Sequence, residues 1–262
     1  SYRFLGRDVL AIGDAPTDIT SHSVATSHFY DIFRYQILDT NSYIEEIWAY
    51  GYWAIDRCAR IIKEGASFKE VTKGDLAEVE GCIAQAYAIK ALCSFYLTNM
   101  FGLPYSEANK TTLGIVNVTE PVPAYSQVSR VSVEQNYSLI LDDITKAKEY
   151  YAKEGVENVG KQYMNTAAVA ALEARVKLYM KNYEGAITAA QEAITLSGGT
   201  IVSTKEDYKN MYTTLAVSTE DIFFIAKAED DYLSANALNT LWNKYGLSIN
   251  SATVAEYSPN DI

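Results

Sequence analysis

The sequence predicts a mainly α protein of paired antiparallel helices with long irregular loops and little β structure. Three observations predict it. Apolar residues recur at i, i+3, i+4 and i+7 over stretches of about twenty residues, breaks rich in Gly and Ser separate these stretches, and only Ile222–Ala226 has the character of a strand or buried extended segment. At 262 residues the chain is long enough to bury a sizeable core.

The first forty residues show no sustained period. Gly6, Gly13, Asp14, Pro16, Asp18 and a Ser/Thr/His cluster through Ser27 read as a long loop, with a short helix at about Phe29 to Leu38. Ile44, Ile47, Trp48, Gly51, Tyr52, Ile55, Cys58, Ala59 and Ile62 then mark a long amphipathic helix from about Asn41 to Glu64, ended by Gly65. Gly74 and Asp75 start the next helix. Its stretch from Gly81 to Tyr105 has Lys90 as the only charge, with Cys82, Ala86, Ile89, Cys93, Tyr96 and Met100 on one side and Ile83, Tyr87, Leu92 and Phe95 on the other. A helix apolar on both sides needs neighbours on both. Gly102, as a left-handed cap, and Pro104 are expected to stop it, so residues 41–105 form a first hairpin.

Residues 106–130 are irregular, with Pro121 and Pro123 fixing an extended segment. Ser132 and Gln135 form a capping box for a third long helix carrying Val133, Tyr137, Ile140, Ile144, Ala147 and Tyr151. Gly155 to Gly160 breaks it. Asn165 caps a fourth helix running to about Lys181, and a fifth runs from Tyr183 to Leu196 before Ser197-Gly198-Gly199, so the second hairpin region covers about 132–198. Within it Ala174, Tyr183, Ala186 and Ala193 have tetratricopeptide spacing, where small alanines let helices approach and the tyrosine fills the gap beside the turn. The repeat is degenerate, with Ala190 where a large residue is usual and Gly198 where Pro is usual. Residues 199–262 are polar and Tyr-rich, with a short helix at about Ala235 to Tyr245.

Composition excludes several function classes. A net charge of -11 argues against nucleic acid and anionic membrane surfaces as partners. No stretch reaches the roughly 18 uncharged apolar residues of a membrane span. Cys58, Cys82 and Cys93 lack metal spacing and read as small core hydrophobes, and with His22 and His28 the only histidines there is no zinc pattern. Nucleophile elbow, phosphate loop and metal cluster are all missing, so catalytic residues, cofactors and metals are expected to be none. Glu45-Glu46 and Asp142-Asp143 are neighbours on helices and point to different faces, unlike a glycosidase pair. Lys90 in an apolar helix needs a buried partner, and Asp143 is the expected one, a structural ion pair.

The order of motifs resembles the SusD/RagB family of outer-membrane nutrient-binding lipoproteins of Bacteroidetes. Trp48, Tyr52 and Ile55 resemble its first-helix motif, Lys90-Ala91-Leu92 lies where the family tends to have Arg-Ala, and Phe101–Tyr105 resembles its Tyr-Gly-x-x-Pro turn, one residue shorter. Arg130–Val133 with Ile140, Asp143, Ile144 and Ala147 resembles the next helix. Asn165, Ala168, Arg175, Leu178 and Tyr179 resemble the alanine-rich repeat, and Glu220–Phe223 the segment after it. Lys in place of Arg at position 90 exchanges a forked donor for a point charge.

This resemblance implies a single SusD-like domain over 1–262, a fragment of a longer chain. It implies a non-enzymatic glycan-binding protein that hands oligosaccharide to a SusC-like TonB-dependent transporter, at the extracellular face of the outer membrane, held by a lipid anchor that this chain does not include. The alternative reading is a helical-repeat scaffold for protein partners without carbohydrate binding.

Sugars are held by exposed aromatic faces and by side chains that bond hydroxyls, so the binding surface is expected on the irregular segments of about 1–40 and 199–262. The candidates are Tyr30, Tyr35 and Arg34 early in the chain, with Tyr232, Trp242, Tyr245, Asn239 and Asn243 near its end. Phe29, His28, Asp31 and Asn41 lie beside the first group. Helical tyrosines such as Tyr52, Tyr96, Tyr137, Tyr151 and Tyr179 read as core.

Overall fold

The computed structural model describes residues 1–23, 26–68, 73–214, 216–226 and 233–258. They are mostly helical and fall into two compact units, one made of Ser1–Tyr50 with Ala226–Ile262 and the other of Gly51–Ile225.

The larger unit follows the periodicity of the sequence. After α1 (Asp8–Asp14) and α2 (Tyr30–Phe33), both in the smaller unit, α3 (Ser42–Ser67) runs from one unit into the other, and α4 (Lys73–Phe101) returns against it. Gly65 does not end α3. A Cβ there would lie 2.8 Å from Ile83, and one at Gly51 would lie 2.9 Å from Leu97, so both glycines let α3 and α4 approach closely. α5 (Val133–Tyr151) packs on α4, α6 (Thr166–Tyr179) on α5, and α7 (Tyr183–Ser197) on α6. The core they share includes Ala88, Ala91, Phe95, Tyr137, Ile140, Ile144, Val169 and Val176.

Helix ends obey local chemistry. Ser132 Oγ accepts from Gln135 N while Gln135 Oε1 accepts from Ser132 N, the reciprocal capping box. Asn165 Oδ1 accepts from Ala168 N at 2.9 Å, and Gly198 closes α7 in the left-handed conformation. Gly102 has no positive φ, contrary to the expected cap; a Cβ there would meet Thr98 O at 2.8 Å, and proximity explains the glycine.

Inside this unit Lys90 Nζ lies 2.9 Å from Asp143 Oδ1 and donates to Val118 O, and both side chains are buried. Asp143 Oδ2 has no hydrogen-bond partner among the described residues. Burial pushes the Asp143 carboxyl up to about 6, and Lys90 only partly offsets that.

Three side chains expected to be packed are exposed or half exposed. Cys82 is exposed, in a hollow that α4 shares with Glu154, Gly155 and Tyr163. Tyr183 is 58% exposed and does not fill the turn, because Ala186, Ala189 and Ala193 make the contact with α6. Tyr179 is half exposed, with its ring edge 5.0 Å from Phe95. Ile222–Ala226 forms no strand; Ile222 and Phe223 pack on the core while Phe224 N donates to Lys161 O. α8 (Lys205–Thr213), capped by Thr204 Oγ1 on Asp207 N, is nine mostly polar residues with none buried, which is why the sequence did not reveal it.

The smaller unit is assembled from both ends of the chain. β1 (Thr20–His22) pairs antiparallel with β2 (Leu247–Ile249), Thr20 opposite Ile249 and His22 opposite Leu247. A kinked turn at Tyr2–Gly6, non-helical at Phe4, and α1 occupy residues expected as loop. α2 is shorter than expected. Near the other end come a 3₁₀ turn (Ser234–Asn236), α9 (Leu238–Asn243) and α10 (Ser251–Ala255).

Candidate functional site

The small unit owes its cohesion to a few apolar contacts and specific side-chain bonds. Ala11 and Ala15 of α1, Phe29, Ile32 of α2, Leu241 of α9 and Leu247 of β2 form its core, with Tyr43, Trp242 and Tyr245 partly buried against them. Arg7 and Asp8 are buried as a pair, Nε to Oδ1 at 2.5 Å, and Arg7 Nη1 also reaches Asn236 Oδ1 at 3.3 Å. Desolvation raises the Asp8 carboxyl above its ordinary range against the pull of Arg7, whose guanidinium also stands 5.7 Å from the Phe29 ring.

α2 is bracketed by two strained residues. Phe29 immediately before it has φ 55° and Tyr35 just after it φ 56°, a left-handed conformation that is costly for bulky side chains. Phe29 is buried, stacked 4.1 Å from Tyr43. Tyr35 is 74% exposed. Between them Tyr30 is half-buried, and the Arg34 guanidinium lies 5.4 Å from its ring with Nη1 3.4 Å from its hydroxyl. Beside this turn a hollow of about 220 Å³ is lined by Asp31, Gln36, Thr40, Asn41, Ser42 and Tyr43. Asn41 is not free to bond a ligand through Oδ1, which accepts from the Tyr43 and Ile44 amides and caps α3.

The late candidates share the unit with these early ones. The Tyr245 ring lies 4.3 Å from the His28 ring, and Tyr245 O accepts from Thr26 Oγ1 at 2.6 Å. Trp242 is half-buried on α9 within the core just described, and Asn239 on the same helix is exposed. Asn243 is the last residue of α9, and Tyr232 lies outside the described residues. Chain-distant aromatics are thus joined by one two-stranded pairing. Sequence reasoning missed Gln36, Thr40, Ser42 and the backbone strain at Phe29 and Tyr35, which no residue type there announces.

Chemically the arrangement offers aromatic faces, a guanidinium, carboxyl, amide and hydroxyl groups. Burial pushes the Cys58 thiol up to about 11 and raises Cys93 further, so neither is a thiolate at neutral pH. Among the described residues no group of three His, Cys, Asp or Glu could hold a metal ion.

Comparison with known proteins bears on this arrangement. A SusD-like family model, described as starch-binding associating with outer membrane, matches residues 7–178. No curated protein matches. Among solved structures, a SusD superfamily protein from Bacteroides thetaiotaomicron superposes with a TM-score of 0.85 at 21% identity, over 97% of this chain and 57% of that one. A putative sugar binding protein from Bacteroides vulgatus gives 0.81 at 24% identity, over 97% and 59%. A laminarin binding SusD-like protein gives 0.57 at 18% identity, over 79% and 42%. The chain therefore spans less than two thirds of the length of the structures it matches.

Proposed function

We propose that this chain, which belongs to the SusD-like family, is part of a glycan-binding protein and not an enzyme, and that its ligand contacts come from the smaller unit. The observation carrying this is α2, which lies between left-handed Phe29 and left-handed Tyr35, carries the Tyr30–Arg34 contact, and contributes Asp31 to a mostly polar hollow. Strain of that kind persists where surrounding structure enforces it, and an aromatic that reads a pyranose has to be rigidly mounted. Asp31, Gln36 and Thr40 supply acceptors and donors for sugar hydroxyls, and Asn239, Trp242 and Tyr245 extend the surface from the other end of the chain.

On this reading the complete protein works at the extracellular face of the outer membrane, lipid-anchored, and passes oligosaccharide to a SusC-like TonB-dependent transporter. The family description and the sugar-binding and laminarin-binding neighbours support it. Retardation in affinity gels containing starch or laminarin tests the binding step. Tyr35→Ala and Trp242→Ala are expected to lose retardation; because Trp242 is half-buried, its variant counts only if its folding by circular dichroism matches the parent.

A second reading, a scaffold for protein partners, is favoured by one feature of the larger unit. Tyr183, Ile187 and Ile194 form an exposed apolar stripe on α7, with Ile187 and Ile194 59% and 63% exposed. Chains that bind no glycan but retain a protein partner through this stripe would favour it.

A further inference from the structure

The sequence makes α4 apolar on both sides, yet its first turns open on a hollow of the larger unit. Glu78, Gly81, Cys82 and Gln85 stand at i, i+3, i+4 and i+7 on one face of α4, and all four line it. The opposite wall comes from residues 152–163, which join α5 to α6. Gly155, with φ 82°, turns this connection onto α4 so closely that a Cβ on it would lie 3.3 Å from Ala77. Val156 packs on the core, and Asn158 Oδ1 accepts from the Thr166 amide, so the connection is fixed at several points and the hollow is pre-formed. Its volume is about 1060 Å³.

Leu76, Ala77, Cys82, Val159 and Tyr163 give the hollow an apolar wall, while Glu78, Glu154 and Glu157 are exposed around it. Glu80, the fourth acidic residue of the lining, is ion-paired with Lys153. The other three have no ion pair among the described residues, and no Lys or Arg lines the hollow there. Apolar wall left in water is unfavourable, and uncompensated carboxylates around one opening repel each other. An occupant that relieves both brings an apolar side chain with cations beside it. A metal ion does not fit, since no group of three His, Cys, Asp or Glu among the described residues could hold one. The space exceeds the roughly 300–1,000 Å³ of small-molecule sites and suits a short stretch of chain.

We propose that this hollow docks a basic segment of a protein partner, seating an apolar side chain between α4 and the 152–163 connection while flanking Lys or Arg residues meet Glu78, Glu154 and Glu157. It shares no residue with the α7 stripe or with the glycan surface proposed above, so it stands or falls without either.

The probe is a fluorescein-labelled hexapeptide with Leu-Leu flanked by two Arg on each side; one control replaces Leu-Leu by Ser-Ser and another replaces Arg by Glu. Fluorescence anisotropy at roughly 0.1 M salt, where exposed charges more than about 10 Å apart are screened, should show binding of the probe and of neither control. Because the whole chain carries a net charge of -11, the decisive variants change that charge equally in two places. Glu154→Gln with Glu157→Gln should weaken the probe about three- to tenfold, the worth of two exposed ion pairs. Glu184→Gln with Glu206→Gln, outside the hollow, should leave it unchanged. All four residues are exposed, and matching circular dichroism confirms the fold. Cys82 supplies a local readout because Cys58 and Cys93 are buried: its labelling by a maleimide should slow when the probe is bound. Absence of binding, equal weakening by both pairs of substitutions, equal binding of the Ser-Ser control, or labelling that ignores the probe overturns the proposal. Protection of Cys82 by glucosamine oligomers and not by the probe overturns it as well, assigning the hollow to an amino sugar.

Discussion

The two units answer differently to the same question, namely what holds a backbone segment where it is. In the larger one, long helices bury continuous faces against each other, and a residue such as Ile140 or Val169 is one of many that fix the register. In the smaller one, elements of three to seven residues, with only the first turns of α3 longer, depend on individual devices: the Arg7–Asp8 pair, a three-residue strand pairing, the His22 ring 2.7 Å from the Ser23 and His28 carbonyls, and left-handed Phe29. A face built by many weak contacts tolerates the loss of one, whereas a segment held by single bonds moves when one bond goes. That difference favours the smaller unit for a binding surface and the larger one for support.

The sharpest test of the supporting role is the buried pair in the larger unit. Lys90→Met leaves the buried Asp143 carboxyl without its partner and pushes its titration further up, and unfolding free energy at neutral pH should drop by about 3–5 kcal/mol, read from chemical denaturation. The double variant Lys90→Met with Asp143→Leu should recover most of it. The pH dependence has a definite sign. Folded Asp143 titrates at about 6 against 3.8 for a free carboxyl, so its contribution is complete below about 3.8 and is lost as pH rises through about 6. Asp143→Asn should remove that slope. A parent whose stability climbs over this interval, with the slope unchanged in Asp143→Asn, would break the comparison, because the larger unit would then not depend on the pair.

A smaller loss is expected at Asn136, where the larger unit borrows the device of the smaller one. Its Oδ1 accepts from Ile115 N at 2.8 Å and its Nδ2 donates to Ile115 O and Asn117 Oδ1, so one buried side chain holds the segment after α4 in an extended course. Asn136→Ala strands the amide N–H of buried Ile115, whose carbonyl keeps the Val131 N–H, and should cost about 1–3 kcal/mol, with proteolysis near residues 113–118 as the local readout. Loss spread evenly over the helices would say that even this loop is held by packing.

Legibility in the sequence divides along the same line. α5 is readable because its stripe runs for five turns and its capping box is written in Ser132 and Gln135; α6 is readable from Asn165 and its alanines. α1 was missed because its seven residues carry one polar group buried by a pair, Asp8, and Gly13 inside an apolar stretch, too short for a period to emerge. The β1–β2 pairing joins residues more than two hundred positions apart, and no local pattern encodes it. Candidate aromatics could be named as residues lying off the helical stripes. What could not be read was which of them share a surface, and that Asn41 spends its carbonyl on a helix cap.

The smallest effect on stability should come with a large effect on binding, at Tyr35. Its φ of 56° is one that glycine adopts without strain, and its ring is mostly in solvent, so the fold gains little from having a tyrosine here. Tyr35→Gly relieves the steric cost and pays back part of it in unfolded-chain entropy, leaving stability raised by about 0.5–1 kcal/mol or unchanged. If the strained tyrosine is retained to present its ring, the same variant should lose retardation in a starch or laminarin gel even though it melts no lower. A stable variant that binds as the parent does would show that strain at this turn serves chain reversal alone, and the contrast between a packed unit and a presenting unit would have to be drawn from Tyr30 and Arg34 instead.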